Sequence, residues 1–165
     1  MIIFGIDPGS RVTGYGIIET QGNKSTYVGS GVIVTKEKEF HKRLHIIFKE
    51  IENLMQEYQP DVVAIENVFM HRNADSALKL GQAKAAAICG TFKSGLTVYE
   101  YAAREVKQAV VGKGSAEKEQ VQYMAKIILG IKNRELRLDE SDALAIAICH
   151  AHSYEMEKTM KPLDR

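Results

Sequence analysis

MIIFGIDPGSRVTGYG, residues 1–16, joins an apolar run to a carboxylate and a turn. Residues 2–7 have the composition of a buried strand, which ends at Asp7. Pro8 follows at once, and the residue before a proline is biased towards extended backbone. A carboxylate at the end of a buried strand is costly to desolvate unless it binds something. Asp7 is therefore the first candidate functional residue.

The hydrophobic pattern of the remaining chain predicts further strands and helices. The predicted strands span residues 2–7, 15–19, 27–34, 62–66 and 96–100. The predicted helices span residues 40–58, 74–92, 102–110, 115–129 and 139–155. Short connections between the first three strands predict an antiparallel meander. The order of elements predicts an α/β fold with a mixed five-stranded sheet flanked by helices.

The length and composition are those of one domain with a substantial core. The chain has 165 residues, of which 45% are hydrophobic. It has no apolar run of about 18 residues and no charged segment before the first strand, so neither a membrane span nor a signal peptide is expected. We predict one domain over residues 1–155 and a polar tail over residues 156–165. Cys89 and Cys149 are expected to be buried free thiols in a reducing cytosol, which predicts a cytoplasmic protein.

The charges are distributed unevenly along the chain. The formal net charge is +1, which by itself predicts no strong attraction to nucleic acid or to a membrane. Residues 71–120 carry 8 basic and 5 acidic side chains, whereas residues 1–70 carry 7 and 9. The basic segment is a weak indication of a phosphate-facing surface, because a small excess of this kind is also common on solvated faces.

Three further acids lie, like Asp7, beside strongly apolar segments. Glu66 ends the fourth predicted strand, and Asp139 and Asp142 open the last predicted helix, where they share a face. The residues after Asp142 are almost entirely apolar, so its side chain is expected to point inward. Four converging carboxylates would repel one another and raise one another's pKa values. Divalent cations such as Mg²⁺ or Mn²⁺ would remove that repulsion, and pairs of them serve phosphoryl transfer.

Each acid also has a structural interpretation. Asp7 is compatible with a turn former, and Glu66 with an exposed strand end. Asp139 is compatible with a helix N-cap, and Asp142 with an acid that the helix dipole favours in the first turn.

Six segments of the chain match the motifs of one known family in order. They are GIDPGSRVTGYG (5–16), AIENVF (64–69), NADSALKLGQA (73–83), YAAREVK (101–107), GSAEK (114–118) and DALAIA (142–147). Together they resemble the RuvC family of bacterial Holliday-junction resolvases, and the likeness covers about residues 1–155. The resemblance implies a ribonuclease H-like fold and a homodimer. It also implies a Mg²⁺-dependent endonuclease that nicks two strands of like polarity in four-way DNA junctions, with RuvA and RuvB as partners.

The resemblance also assigns roles to individual residues. The four acids of the family fall on Asp7, Glu66, Asp139 and Asp142, which implies a site for two Mg²⁺ ions, with Mn²⁺ able to substitute. The residues implied to contact DNA are Phe69, Arg72, Lys107 and Lys118, the two lysines lying near the cleaved phosphate. The alanine-rich residues 74–87 are implied to form a two-fold dimer contact.

Local patterns agree with part of this assignment. Lys118 lies in the predicted first turn of a helix, where the dipole disfavours a cation, although an exposed lysine tolerates that position. Phe69 follows Glu66 in a polar loop, where an aromatic ring can stack on an unpaired base. Packing in the core is the alternative role for this ring.

Two other functions remain as alternatives. The first is an ATP-binding domain of the actin-like ATPase and sugar-kinase type, which also begins with a strand, an acid and a glycine-rich turn. Its two-domain architecture needs a longer chain and a second phosphate loop. The second is a junction-binding module without catalysis, which would keep Phe69 and the basic segment but would not need four acids.

Overall fold

One mixed sheet of five strands forms the centre of the computed structural model, which describes residues 1–68 and 73–160. The strands are β1 (Ile2–Asp7), β2 (Val12–Gln21), β3 (Lys24–Val34), β4 (Val62–Asn67) and β5 (Val98–Ala102). Their order across the sheet is β3-β2-β1-β4-β5. The first three strands pair antiparallel, and β4 pairs parallel with both β1 and β5. The predicted meander and the predicted mixed sheet are confirmed.

Helices cover both faces of this sheet. They are α1 (Phe40–Tyr58), α2 (Ala74–Thr91), α3 (Ala103–Val111), α4 (Lys118–Leu129) and α5 (Leu138–Met160), with a short 3-10 turn at Phe92–Ser94. Side chains alternate between the faces of a strand. Ile3 of β1 therefore packs with α3, α4 and α5, whereas Phe4 packs with α1 and α2. Across the described ranges, no helix is long and apolar enough to cross a membrane.

Several boundaries differ from the prediction. Strand β5 begins at Val98, two residues later than expected, and α4 begins at Lys118 because residues 113–116 form a turn closed by the Ala116 N–H. Helix α5 continues to Met160, so part of the predicted tail is helical, since the first helix-breaking residue after Glu155 is Pro162. Residues 161–165 lie outside the described residues.

The two cysteines differ in their surroundings. Cys149 is buried in the core, as predicted, but Cys89 is exposed, so that part of the prediction is wrong. Ala83 and Ala87 mark the buried face of α2, and Cys89 lies away from that face. The alanine-rich composition of α2 concealed which side of the helix faces solvent.

Helix α5 lies directly on the backbone of β1 and β2. A Cβ atom on Gly5 would overlap the carbonyl oxygen of Ala143, and one on Gly14 would overlap the carbonyl oxygen of Asp139. Any larger residue at these two strand positions would hold the helix further from the sheet. Because Gly14 pairs with Asp7 across the β1–β2 ladder, this contact brings the start of α5 to the end of β1.

We expect Gly14→Ala to lower the free energy of unfolding by about 2–3 kcal/mol, because the added methyl group must displace the backbone of α5. The matched control is Gly29→Ala in β3, whose methyl group would meet the Tyr58 hydroxyl at 2.9 Å, the movable end of a side chain. That control should change stability by less than about 1 kcal/mol. Urea denaturation measures both values, and equal stability of the two variants would contradict the role given to Gly14.

Candidate active site

Asp7 is the last residue of β1, and Glu66 is the next-to-last residue of β4, so these two parallel neighbours bring both acids to one edge of the sheet. Ile6 of β1 pairs with Ile65 of β4, so each acid is the next residue beyond a matched pair. The carboxyl ends of parallel strands meet at the same edge, where open α/β sheets place their sites. Both side chains are partly buried. The structure thus makes these two strands parallel neighbours, which the sequence pattern did not establish.

The turn after Asp7 is closed by Thr13. The Thr13 hydroxyl donates to the carbonyl oxygen of Gly9 at 2.7 Å, and the Gly9 N–H donates to Thr13 Oγ1 at 3.3 Å. These bonds return the chain into β2 within a few residues. The motif at residues 5–16 therefore contains both the acid and the turn that holds it at the strand end.

Helix α5 brings Asp139 and Asp142 to the same edge. The backbone of Asp139 contacts Gly14, the partner of Asp7 in the sheet. The Asp142 side chain is 18% exposed and accepts a hydrogen bond from Lys118 Nζ at 2.7 Å. As predicted, Asp142 faces the protein rather than open solvent.

A cavity of about 150 Å³ lies between these acids and the helices α3 and α4. Its charged lining residues are Glu66, Lys107, Lys118 and Asp142, and its apolar lining residues are Ala103, Val106, Val121 and Ile146. A larger groove of about 810 Å³ lies beside the C-terminal half of α5 and contains none of the predicted site residues. The smaller cavity, and not the larger groove, therefore contains predicted site residues.

The acids raise one another's affinity for protons. Burial raises the pKa of Asp7 to about 8, and the carboxylates of Asp142, Glu66 and Asp139 add to this rise, while Lys118 opposes it. Burial also raises the pKa of Glu66, while a hydrogen bond with Asp7 and the two lysines oppose that rise. Burial, reinforced by the neighbouring carboxylates, therefore favours the protonated form of the Asp7 side chain when no cation is bound.

Lys118 is the first residue of α4, so it lies in the first helical turn, as the sequence predicted, although the helix begins three residues later than expected. The hydrogen bond to Asp142 raises the pKa of the Lys118 ammonium, and the charges of Asp7 and Glu66 add to the effect. The acids thus offset the unfavourable position of a cation at a helix N-terminus.

The carboxylates are chemically suited to a divalent cation. Within residues 1–68 and 73–160, no three His, Cys, Asp or Glu side chains are already arranged to hold a metal ion. The Lys118 ammonium offsets part of their negative charge through its hydrogen bond to Asp142. The donor set is entirely carboxylate oxygen, which Mg²⁺ and Mn²⁺ prefer. The residues therefore fit such an ion once their side chains turn towards it.

Two predicted contacts, Phe69 and Arg72, lie outside the described residues. The structure also places Lys84 of α2, a residue that the sequence analysis did not single out, near Glu66. Its Nζ donates to Glu100 Oε2 at 2.6 Å and to Asn67 Oδ1 at 3.3 Å, at the same edge of the sheet as Glu66. No local signal marks Lys84, because its partners come from two strands that are distant in sequence.

Comparison with known proteins identifies the family. The family model described as crossover junction endodeoxyribonuclease RuvC matches residues 3–150. The chain belongs to the RuvC family. RuvC of Pseudoalteromonas translucida is 57% identical over 152 residues, covering 92% of this chain and 87% of that protein. RuvC of Geobacter sp. (strain M21) is 54% identical over 162 residues, covering 98% of each.

The fold agrees with a solved RuvC structure. Thermus thermophilus RuvC in complex with Holliday junction substrate superposes with a TM-score of 0.89 at 34% identity, covering 95% of this chain and 96% of that chain. The resemblance to the RuvC family and the ribonuclease H-like fold are thus confirmed. Neither the ATP-binding alternative nor the module without catalysis is favoured, since the RuvC relatives are endodeoxyribonucleases.

We expect the metal-free protein to lose stability as pH rises from about 4 towards 8, because the folded state holds the Asp7 proton more tightly than the unfolded state, whose carboxyl has a pKa near 3.8. Asp7→Asn removes the free-energy cost of ionising Asp7 in the folded state. The variant should therefore be more stable than the unmodified protein in EDTA at pH 8 by about 1 kcal/mol or more. Asp75→Asn, at an exposed acid of α2, is the control. Calorimetry in EDTA checks both, and an Asp7→Asn variant that follows the unmodified protein at every pH would contradict the charge balance.

Proposed function

We propose that four carboxylates and two lysines of this chain form a two-metal nuclease site. The carboxylates are Asp7, Glu66, Asp139 and Asp142, and the lysines are Lys107 and Lys118. By its membership of the RuvC family, the chain is a crossover junction endodeoxyribonuclease, a metal-dependent hydrolase of phosphodiester bonds. The observation that carries the proposal is the convergence of these charges from β1, β4, α3, α4 and α5 at one edge of the sheet.

The four acids would bind two Mg²⁺ ions, and Mn²⁺ is expected to substitute because it accepts the same oxygen ligands. The ions would supply Lewis acidity that activates water and stabilises the leaving 3′ oxygen. Asp7 would release its proton as the cations bind. Burial and the mutual repulsion of the acids favour replacement of this proton by cations, since both effects destabilise carboxylates that lack a counter-charge.

Lys107 and Lys118 would act on the phosphate. Both line the cavity opposite Glu66, and Lys118 would exchange its bond to Asp142 for one to a phosphate oxygen. The apolar side of the cavity, which includes Val106 and Ile146, would exclude water. Lower water content strengthens the attraction between the lysines and the charge that develops on the phosphate.

The substrate is four-way junction DNA, since RuvC of Thermus thermophilus was solved with a Holliday junction and shares 34% identity with this chain. Phe69 and Arg72, which follow Glu66 closely in sequence, are proposed to contact the junction. A homodimer would match the two-fold symmetry of such a substrate. Leu78, 66% exposed in the alanine-rich α2, supports a dimer contact there. RuvA and RuvB are proposed as partners from the resemblance alone, and a cytoplasmic location is proposed from the two free thiols.

We expect paired symmetric nicks in a labelled four-way junction, but not in a linear duplex of the same sequence, with Mg²⁺ or Mn²⁺ and not with EDTA. Asp7→Asn should lower the cleavage rate by about 10³-fold or more, because it replaces a carboxylate ligand of the metal with a neutral amide. Junction binding should remain intact, because the amide adds no negative charge that would repel DNA. Denaturing gels and gel-shift assays measure the two properties.

Three outcomes would contradict this assignment. Normal cleavage by Asp7→Asn would show that Asp7 is not a ligand of the catalytic metal. Tight junction binding without nicks in either metal would favour a module without catalysis. Neither binding nor cleavage would require a test of ATP binding.

We expect Lys107→Ala to lower the cleavage rate by about 10- to 100-fold and to reduce the salt dependence of junction binding by about one unit of slope, since one phosphate contact is lost. Lys38→Ala, at an exposed lysine before α1, is the control and should change neither value. The measurement is single-turnover cleavage with binding at several salt concentrations. A rate equal to that of Lys38→Ala would mean that Lys107 is an ordinary solvated lysine without a role in cleavage.

A further inference from the structure

Glu140 is a buried acid that none of the proposed catalytic steps uses. It follows Asp139 in the first turn of α5 and is only 5% exposed. Its carboxylate accepts hydrogen bonds from Arg134 Nη2 at 2.7 Å, from Ser30 Oγ at 3.1 Å and from the Arg137 N–H at 2.9 Å. A buried charge with this many partners is strongly held in place, because removing any one of them leaves a polar group unsatisfied.

Arg134 connects this acid to the edge strand β3. Its Nη2 also donates to the carbonyl oxygen of Ser30 at 3.2 Å, and its Nη1 donates to the Tyr27 hydroxyl. The guanidinium lies over the Tyr27 ring, 5.5 Å from the ring centre. We name the group of Tyr27, Ser30, Arg134 and Glu140 the β3 clamp. It ties the segment before α5, and the first turn of α5, to the sheet.

The β3 clamp and Gly14 hold the start of α5 from two directions. Gly14 of β2 contacts the Asp139 backbone, while Glu140, one residue further, is bound towards β3. The first turn of a helix lacks half of its backbone hydrogen bonds and frays easily. Two fixed points on consecutive residues prevent this turn from rotating or unwinding. The same turn carries Asp139, and Asp142 lies directly beyond it.

We propose that Arg134 and Glu140 are positioning residues of the metal site. Neither residue lines the cavity that contains Glu66 and Asp142, and both act by holding Asp139 and Asp142 in the direction of Asp7 and Glu66. A preorganised set of carboxylates binds a cation more tightly, since less ordering is required on binding. This inference rests on the proposed metal site and adds two residues that are not among the acids or lysines of that site.

Arg134→Ala and Glu140→Gln test the inference, with Arg134→Lys as the conservative variant that keeps a positive charge but loses the planar fork. The matched control is Glu52→Gln in α1. Glu52 is also buried, at 4% exposure, and is also held by cations, Lys49 at 2.7 Å and Lys93 at 2.6 Å, but it lies on α1, away from the site. Each protein is melted in EDTA and across a Mg²⁺ titration, and junction cleavage is followed across the same titration.

The expected result is a separation of metal affinity from stability. The half-effect concentration is the Mg²⁺ concentration that gives half of the maximal rise in melting temperature or in cleavage rate. Arg134→Ala and Glu140→Gln should raise this concentration by about tenfold in both titrations, and Arg134→Lys should raise it by less. Glu52→Gln should lower the melting temperature in EDTA while its half-effect concentration stays within about twofold of the unmodified protein.

Two results would overturn the inference, and they differ in what else they overturn. If Mg²⁺ stabilises the unmodified protein but not Asp7→Asn, and the clamp variants keep the unmodified half-effect concentration, only the positioning role is wrong. If Mg²⁺ does not stabilise the unmodified protein at all, the proposed metal site is wrong, and the positioning role is wrong with it.

Discussion

The close contact between α5 and the backbone of β1 and β2 is the constraint on which the candidate site depends. Gly5 and Gly14 leave no side chain between helix and sheet, so the helix backbone lies against the strands. Gly14 pairs with Asp7 and touches Asp139, which joins the acid of β1 to the acids of α5 through one strand position. A helix held a side chain further away would carry its two acids away from Asp7 and Glu66, and the charges could not act as one group.

The charge of the site opposes the stability that the surrounding core provides. Ile6 and Ile65, which precede Asp7 and Glu66 along their strands, are fully buried, so the strand ends are held firmly while the carboxylates are partly desolvated. Burial and the neighbouring carboxylates raise the pKa of Asp7 to about 8, which reflects this conflict. Lys118 relieves part of it through Asp142. Partly buried carboxylates that repel one another destabilise the fold, and such a conflict between charge and stability is common at functional sites.

The prediction succeeded where a local pattern carried the information. Hydrophobic period and turn residues predicted the end of β1 at Asp7, the end of β4 to within one residue of Glu66, the helix of residues 40–58 and the first-turn position of Lys118. It failed where the pattern was uniform or the partner was distant. In the alanine-rich α2, neither the exposure of Cys89 nor the contacts of Lys84 can be deduced, because alanine does not distinguish a buried face from an exposed one. The bond between Ser30 and Glu140 spans 110 positions and leaves no local signal.

The sequence by itself determined the order of elements and the family, and it singled out the four candidate acids, since each depends on residue types within short segments. Only the tertiary structure decided that the strands of Asp7 and Glu66 are parallel neighbours, that α5 rests on two glycines and that Arg134 and Glu140 bind its first turn to β3. These are contacts between residues far apart in the chain. Their geometry follows from packing of the whole core, and no segment specifies it alone.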